Sequence, residues 1–290
     1  MELTFIGLGI MGSRMAANLL KKNENLTVFN RSAAPIRKLV SQGAVAADSY
    51  RNAVKGADVV FTMLASPEVV EKVAFSEEGF VSAMKKNAIW VDCSTVNPSF
   101  SRKSFLMAKE CSIRFMDAPV SGTKPNAENA DLAFFVGAEK SVLDIVQSLL
   151  EGMGQKVMHV GEPGKGTALK MLVNSLLAQS MLMLSENILL GEKLGFSKDF
   201  LLDTLPKMSV CAPFTQAKAE MIRKNDFEVQ FPLEWMHKDL HLAALTAYEE
   251  GQPLPLANSA KEIYAAAKQD GLGRKDFSAI YQFMKNGTSP

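Results

Sequence analysis

The 290 residues are 47% hydrophobic and 22% charged, with a formal net charge of +1 at neutral pH. A balance this close to neutral, with no basic arm, argues against a nucleic-acid partner, and the apolar content is enough for one large domain or two ordinary ones. Three cysteines (Cys93, Cys111 and Cys211) are too few and too scattered for a disulfide framework or a zinc site. Met1-Glu2 leads straight into the first strand, so the expectation is a soluble, cytoplasmic protein with no secretory signal.

That first strand, residues 3–6, enters Phe5-Ile6-Gly7-Leu8-Gly9-Ile10-Met11-Gly12 and then a helical pattern over 13–22. Strand, glycine turn and helix form the setting in which GxGxxG spacing binds a dinucleotide. Gly7 permits the tight turn. Gly9 lets the backbone of Leu8, Ile10 and Met11 approach a pyrophosphate, and Gly12 lets the helix pack closely with its positive end toward the phosphates. Further strands are predicted at 26–29, 59–64, 89–91, 115–116, 132–136 and 157–160, with helices at 34–42 and 99–109 between early members. This alternation predicts an α/β fold, a doubly wound, mostly parallel sheet with ligands beyond the carboxyl ends of its strands.

The second strand ends at Asn30-Arg31-Ser32, 18 residues past Gly12. NAD-binding versions carry a carboxylate there that accepts hydrogen bonds from the ribose hydroxyls. Asn30 does not repel a 2′-phosphate, Arg31 offers it a planar fork and Ser32 adds a hydroxyl, so NADP(H) is the expected cofactor. The other reading of Arg31 is a solvated loop charge.

Gly161-Glu162-Pro163-Gly164-Lys165-Gly166 marks a boundary between a dinucleotide-binding domain, 1–162, and an all-helical domain, 163–290. Past it, one long apolar helix runs from Thr167 to about Leu194, bridging the domains or forming a dimer core. Lys170, Asn174, Gln179, Glu186 and Asn187 interrupt it in a way a membrane span rarely tolerates. Further helices are predicted at 198–205, 212–223, 236–250, 256–270 and 277–284.

Lys170 sits at the start of the long helix, with Asn174 one turn later on the same face. Flanked by Leu169, Met171, Leu172 and Val173, its ammonium is partly desolvated, which lowers its pKa and suits a general acid. The residues alone equally allow a lysine that snorkels to the surface. Two loops after strands, Asp92-Cys93-Ser94-Thr95-Val96-Asn97-Pro98 and Asp117-Ala118-Pro119-Val120-Ser121-Gly122-Thr123, are rich in donors. The Ser121 hydroxyl and the Ser121–Gly122 backbone suit a small carboxylate, although the same residues build ordinary turns. His237 and His241 have the spacing of two zinc ligands but no third, so no metal is expected. Cys93 has no identifiable base to make it a nucleophile.

These motifs give the chain a resemblance to the β-hydroxyacid dehydrogenase family over its whole length. The residues that carry it are the glycine turn with Met15 and Asn18, Asp92-Cys93-Ser94-Thr95 with Pro98, Asp117-Ala118-Pro119-Val120-Ser121-Gly122, Gly166-Thr167-Ala168-Leu169-Lys170-Met171-Leu172-Val173-Asn174, and Lys238-Asp239-Leu240. The resemblance implies a Rossmann-type domain joined by a long interdomain helix to an all-α domain. It makes Lys170 the catalytic acid/base, with Asn174 beside it. Ser121, Gly122 and Thr123 would hold the substrate carboxylate, and Thr95 would stand between nicotinamide and substrate. Leu64-Ala65 would pass the cofactor, and Lys238 would reach it from the helical domain. Phe231 and Asp239 would line the far side of the substrate. Asn30-Arg31-Ser32 and Ser121-Gly122-Thr123-Lys124-Pro125 resemble the NADPH-dependent glyoxylate/succinic semialdehyde reductase branch. The substrate is then a small carboxylated aldehyde or hydroxy acid, and the assembly a homodimer or homotetramer. The alternatives are an NAD-dependent 3-hydroxyisobutyrate or tartronate semialdehyde enzyme and a catalytically silent dinucleotide-binding scaffold. Ala130 stands where relatives carry glycine at a turn, and a small backbone adjustment is expected there.

Overall fold

The computed structural model describes residues 1–22 and 25–287. The chain forms two compact units, Met1–Lys170 and Met171–Pro290. Among the described residues the first unit holds nine strands in one sheet: β1 (Leu3–Ile6), β2 (Leu26–Phe29), β3 (Val45–Ala46), β4 (Val59–Thr62), β5 (Ile89–Asp92), β6 (Arg114–Asp117), β7 (Val120–Ser121), β8 (Leu132–Gly137) and β9 (Gly154–Gly161). Their order is β3-β2-β1-β4-β5-β6-β8-β7, with β9 paired to β8. From β3 to β6 every pairing is parallel, and β8 runs antiparallel to β6 and β7.

The order reverses between β1 and β4, so the crevice for a ligand opens where the turn after β1 emerges. Nearly continuous apolar strands are the sign of a sheet covered on both faces. Leu3, Thr4, Phe5 and Ile6 are all buried, as are Val59, Val60, Phe61 and Thr62. Alternate residues then serve opposite layers. Phe5 and Phe61 stack at 6.0 Å on one face, while on the other Trp90 meets Phe75, Phe80 and Phe115 edge-on.

The short strands β3 and β7 and the helices Tyr50–Ala53, Pro67–Phe75, Lys124–Glu128 and Lys140–Glu151 add to the predicted elements. β9 begins three residues earlier than its apolar run because pairing with β8, not side-chain pattern, defines it. Ala130, at the turn where a small adjustment was expected, has a left-handed backbone, φ 55°. That conformation costs a residue with a Cβ about 1 kcal/mol, and the Asp131 N–H to Asn126 carbonyl bond of 2.8 Å helps to hold the turn.

The long helix is Lys165–Lys193. By length and mean hydropathy (1.3 over its most apolar stretch) it is long and apolar enough to cross a membrane. Its Lys170, Asn174 and Ser185 are nevertheless buried, and the Ser185 hydroxyl bonds back to the Met181 carbonyl, as in a helix packed within a protein core. From Met171 onward the second unit is helical among its described residues, apart from one isolated bridge between Pro232 and Asp276. Its core gathers Met181, Ile188, Leu201, Ile222, Met236, Tyr264 and Ile280.

Candidate active site and its cofactor loops

Two glycines make the turn after β1. Gly7 has φ +96°, and a Cβ there would stand 2.4 Å from the Met63 carbonyl oxygen. At Gly12 a Cβ would lie 2.0 Å from the Gly7 carbonyl oxygen, so the helix Gly12–Lys22 starts against the turn itself. Gly9 is exposed and faces open space within 4 Å, which is what close approach of a phosphate requires. The turn therefore fits a dinucleotide.

Asn30 ties this turn to the next loop. Its Oδ1 accepts the Leu8 N–H at 3.0 Å, and its Nδ2 donates to the Ser32 hydroxyl at 2.8 Å and carbonyl at 3.1 Å. Arg31 and Ser32 are exposed beside it. A groove of about 750 Å³ runs nearby between Leu8, Arg14 and Lys38. Thr95, Ser121 and Lys170 do not line it, so it neighbours the cofactor loops rather than housing the reacting atoms.

At the ends of β4 and β5 a chain of side chains sets the loops. Trp90 Nε1 donates to the Thr62 hydroxyl (2.8 Å), which donates to Asp92 Oδ1 (2.8 Å), which also accepts the Ser94 N–H (3.1 Å). The Ser94 hydroxyl accepts the Leu64 N–H at 2.9 Å, joining the loop before Ala65 to the loop that presents Thr95. Cys93 is fully buried, and burial followed by the nearby Asp92 charge pushes its thiol well up, so it is no nucleophile. Ser121 is half-buried and Gly122 turns with φ +131°. Thr123 acts locally: its N–H and hydroxyl both donate to Asn126 Oδ1, at 2.9 and 3.1 Å, as the helix Lys124–Glu128 begins. Its hydroxyl proton is thus engaged within the fold.

Asp117, given no role by the sequence reading, anchors the start of the long helix. Its two oxygens accept the Gly164 N–H (2.6 Å) and the Thr167 N–H (2.7 Å). Burial raises this carboxyl from 3.8 to about 6, with those two N–H bonds pulling the other way. Lys170 follows one turn later and is buried, 8% exposed.

In the helical unit Asn174, Asp239 and Lys238 are brought together. Asn174 Nδ2 donates to Asp239 Oδ2 at 2.5 Å, and Lys238 Nζ lies 2.9 Å from Asp239 Oδ1. The Asn174 Oδ1 is buried and accepts no hydrogen bond, so an acceptor is left over for a ligand. Phe231 is half-buried, its N–H donating to Asp276 Oδ2 at 3.1 Å. Lys218 and Asp276 escaped the sequence reading because 58 residues separate them. The one local signal is Asp276-Phe277-Ser278, an acid accepting the N–H two residues on as a short helix starts. Burial lowers the His237 pKa, helped by the Lys268 charge, and among the described residues no three His, Cys, Asp or Glu are grouped to hold a metal.

A doubly wound sheet with a glycine turn at its switch point defines a dinucleotide-binding protein. Residues 2–161 match the family described as NAD binding domain of 6-phosphogluconate dehydrogenase, and residues 164–284 the one described as NAD-binding of NADP-dependent 3-hydroxyisobutyrate dehydrogenase. The chain is 36% identical to 2-(hydroxymethyl)glutarate dehydrogenase of Eubacterium barkeri, over 99% of this chain and 96% of that one. It is 34% identical to the chloroplastic glyoxylate/succinic semialdehyde reductase 2 of Arabidopsis thaliana, over 98% and 80%. Among solved structures, Mycobacterium tuberculosis 3-hydroxyisobutyrate dehydrogenase with L-serine superposes with a TM-score of 0.86 at 32% identity, covering 98% of each chain. The protein belongs to the β-hydroxyacid dehydrogenase family.

Proposed function

We propose that the protein is an NADPH-dependent reductase of small carboxylated aldehydes or 2-oxo acids, taking glyoxylate to glycolate and succinic semialdehyde to 4-hydroxybutyrate. The observation that carries the proposal is Lys170: a buried ammonium at the start of a helix whose first turn is fixed by Asp117, with Asn174 one turn on. When bound, NADPH supplies the hydride. Gly7, Leu8, Gly9, Ile10, Met11 and Gly12 hold its pyrophosphate, Asn30, Arg31 and Ser32 its 2′-phosphate, and Leu64, Ala65, Thr95 and Lys238 its remaining length. Ser121 and Gly122 bind the substrate carboxylate, Thr95 orients the carbonyl, and Phe231 and Asp239 contribute further contacts to the substrate. Lys170 delivers a proton to the carbonyl oxygen, with Asn174 beside it one turn on along the same helix. NADPH rather than NADH is supported by the missing carboxylate at Asn30 and the exposed Arg31 beside it. The active species is a homodimer or homotetramer, supported by the apolar face of the long helix.

The test is oxidation of NADPH and NADH against a panel of glyoxylate, succinic semialdehyde, tartronate semialdehyde and methylmalonate semialdehyde. Preference for NADH with either of the last two would replace this reading by the sister activity. Lys170→Ala should lower kcat by about a thousandfold while NADPH binding stays within about twofold. A variant turning over at the wild-type rate would remove Lys170 from the reaction.

A further inference from the structure

One buried polar cluster in the helical unit takes no part in the chemistry proposed above. Lys218, on the helix Thr215–Lys224, places Nζ 2.8 Å from Asp276 Oδ1, and the two side chains are 4% and 0% exposed. Asp276 Oδ1 also accepts the Ser278 hydroxyl (2.7 Å) and N–H (3.1 Å), while Oδ2 accepts the N–H groups of Gln230 (3.2 Å) and Phe231 (3.1 Å). The Phe231 carbonyl accepts the Phe277 N–H at 2.9 Å. The Phe231 ring lies 5.8 Å from the Phe277 ring, over which Lys218 Nζ stands at 4.8 Å. Both backbone polar groups of Phe231 and its ring are therefore held by residues 276 and 277, and these in turn by Lys218.

Apolar residues of equal volume commonly stabilise a core as well as a buried ion pair does. What the pair adds is direction: five donors arrive at one carboxylate along fixed lines, and one of them is the N–H of Phe231 itself, with that of Gln230 beside it. We infer that the Lys218–Asp276 pair is a positioning device that fixes Phe231 and thereby sets the length of the acid the enzyme accepts. The inference rests on the reading of Phe231 as a wall of the substrate site. Glyoxylate and succinic semialdehyde differ by two methylenes, and each methylene admitted or refused by an apolar wall is worth about tenfold or more in kcat/KM.

The experiment compares the kcat/KM ratio for succinic semialdehyde over glyoxylate in wild type, Phe231→Ala, Lys218→Met and the double variant Lys218→Met/Asp276→Asn. Calorimetric binding of 4-hydroxybutyrate and glycolate to the NADP-loaded protein gives a second readout independent of turnover. Lys218→Met alone strands a buried carboxylate and is expected to melt well below wild type, whereas the double variant removes both charges and stays folded. With an amide in place of the Asp276 carboxylate, only one acceptor oxygen remains for the donors that converge there, so Phe231 loosens. The expected result is a ratio shifted by about tenfold or more in both the Phe231→Ala and the double variant, the hydroxy-acid affinities moving with it and NADPH affinity unchanged. If Phe231→Ala moves the ratio and the folded double variant does not, the inference is overturned while the proposed reaction stands. If Phe231→Ala itself leaves the ratio unchanged, Phe231 is no wall of the site and the inference goes with that reading.

Discussion

Asn30 shows how one side chain can tie two loops together. Its amide oxygen holds the glycine turn through Leu8 and its amide nitrogen holds Ser32. Asn30→Asp would keep the first bond, lose the second and set a negative charge where the proposed reading puts the 2′-phosphate. A fluorescence titration should find NADPH weakened about tenfold or more and NADH not weakened, and equal losses for both cofactors would contradict that account. Asp117 makes a prediction of a different kind. Its folded pKa is raised to about 6 from 3.8, so between those values the folded state holds a proton that the unfolded state has released. Stability conferred by the protonated form is then present below pH 4 and lost as pH rises through 6, an effect of about 3 kcal/mol. Melting curves from pH 4 to 7 should show wild type losing ground to Asp117→Asn, whose amide cannot ionise. Parallel profiles would place the raised pKa elsewhere.

At the scale of elements, the long helix carries a row of apolar side chains with nothing over them. Leu172, Leu176, Met183 and Leu190, with Leu194 just beyond its end, are each more than half exposed and recur at intervals of four and seven residues. A stripe of that spacing suits another helix, and a second copy of the chain is the occupant proposed for it. Met183→Glu with Leu190→Glu should turn the oligomer into monomer by light scattering, with the fold intact by circular dichroism. An unchanged mass would exclude this face from assembly. The helix itself was plain in the sequence because 29 residues without Pro, mostly apolar, leave no other reading. β1 and β4 were legible for a similar reason, since strands buried along their whole length are mostly apolar. β3 and β7 were not: two residues have no periodicity, and only pairing with β2 and β8 makes them strands. The site divides along the same line. The glycines declare themselves locally and Lys170 through the family resemblance, whereas the tie from Asn30 to Leu8, the clamp from Asp117 to Thr167 and the pair Lys218–Asp276 join distant residues through space.

Over the whole molecule, the reaction's parts hang from a few unforgiving joints. The Asp117 carboxylate is enclosed by two glycines: a Cβ on Gly137 would come within 2.4 Å of its Oδ1, and one on Gly166 within 2.9 Å of its Oδ2 and 2.3 Å of the Phe135 carbonyl oxygen. A single methyl at either place displaces the group that anchors the helix of Lys170. Gly137→Ala and Gly166→Ala are therefore expected to fold in the cold and fail on warming, with a melting temperature lowered by several degrees and normal cofactor affinity while folded. In a living cell such a change would act as a temperature-sensitive allele. Warming the culture would withdraw the enzyme at a chosen moment, and the compound that then accumulated would identify its natural substrate.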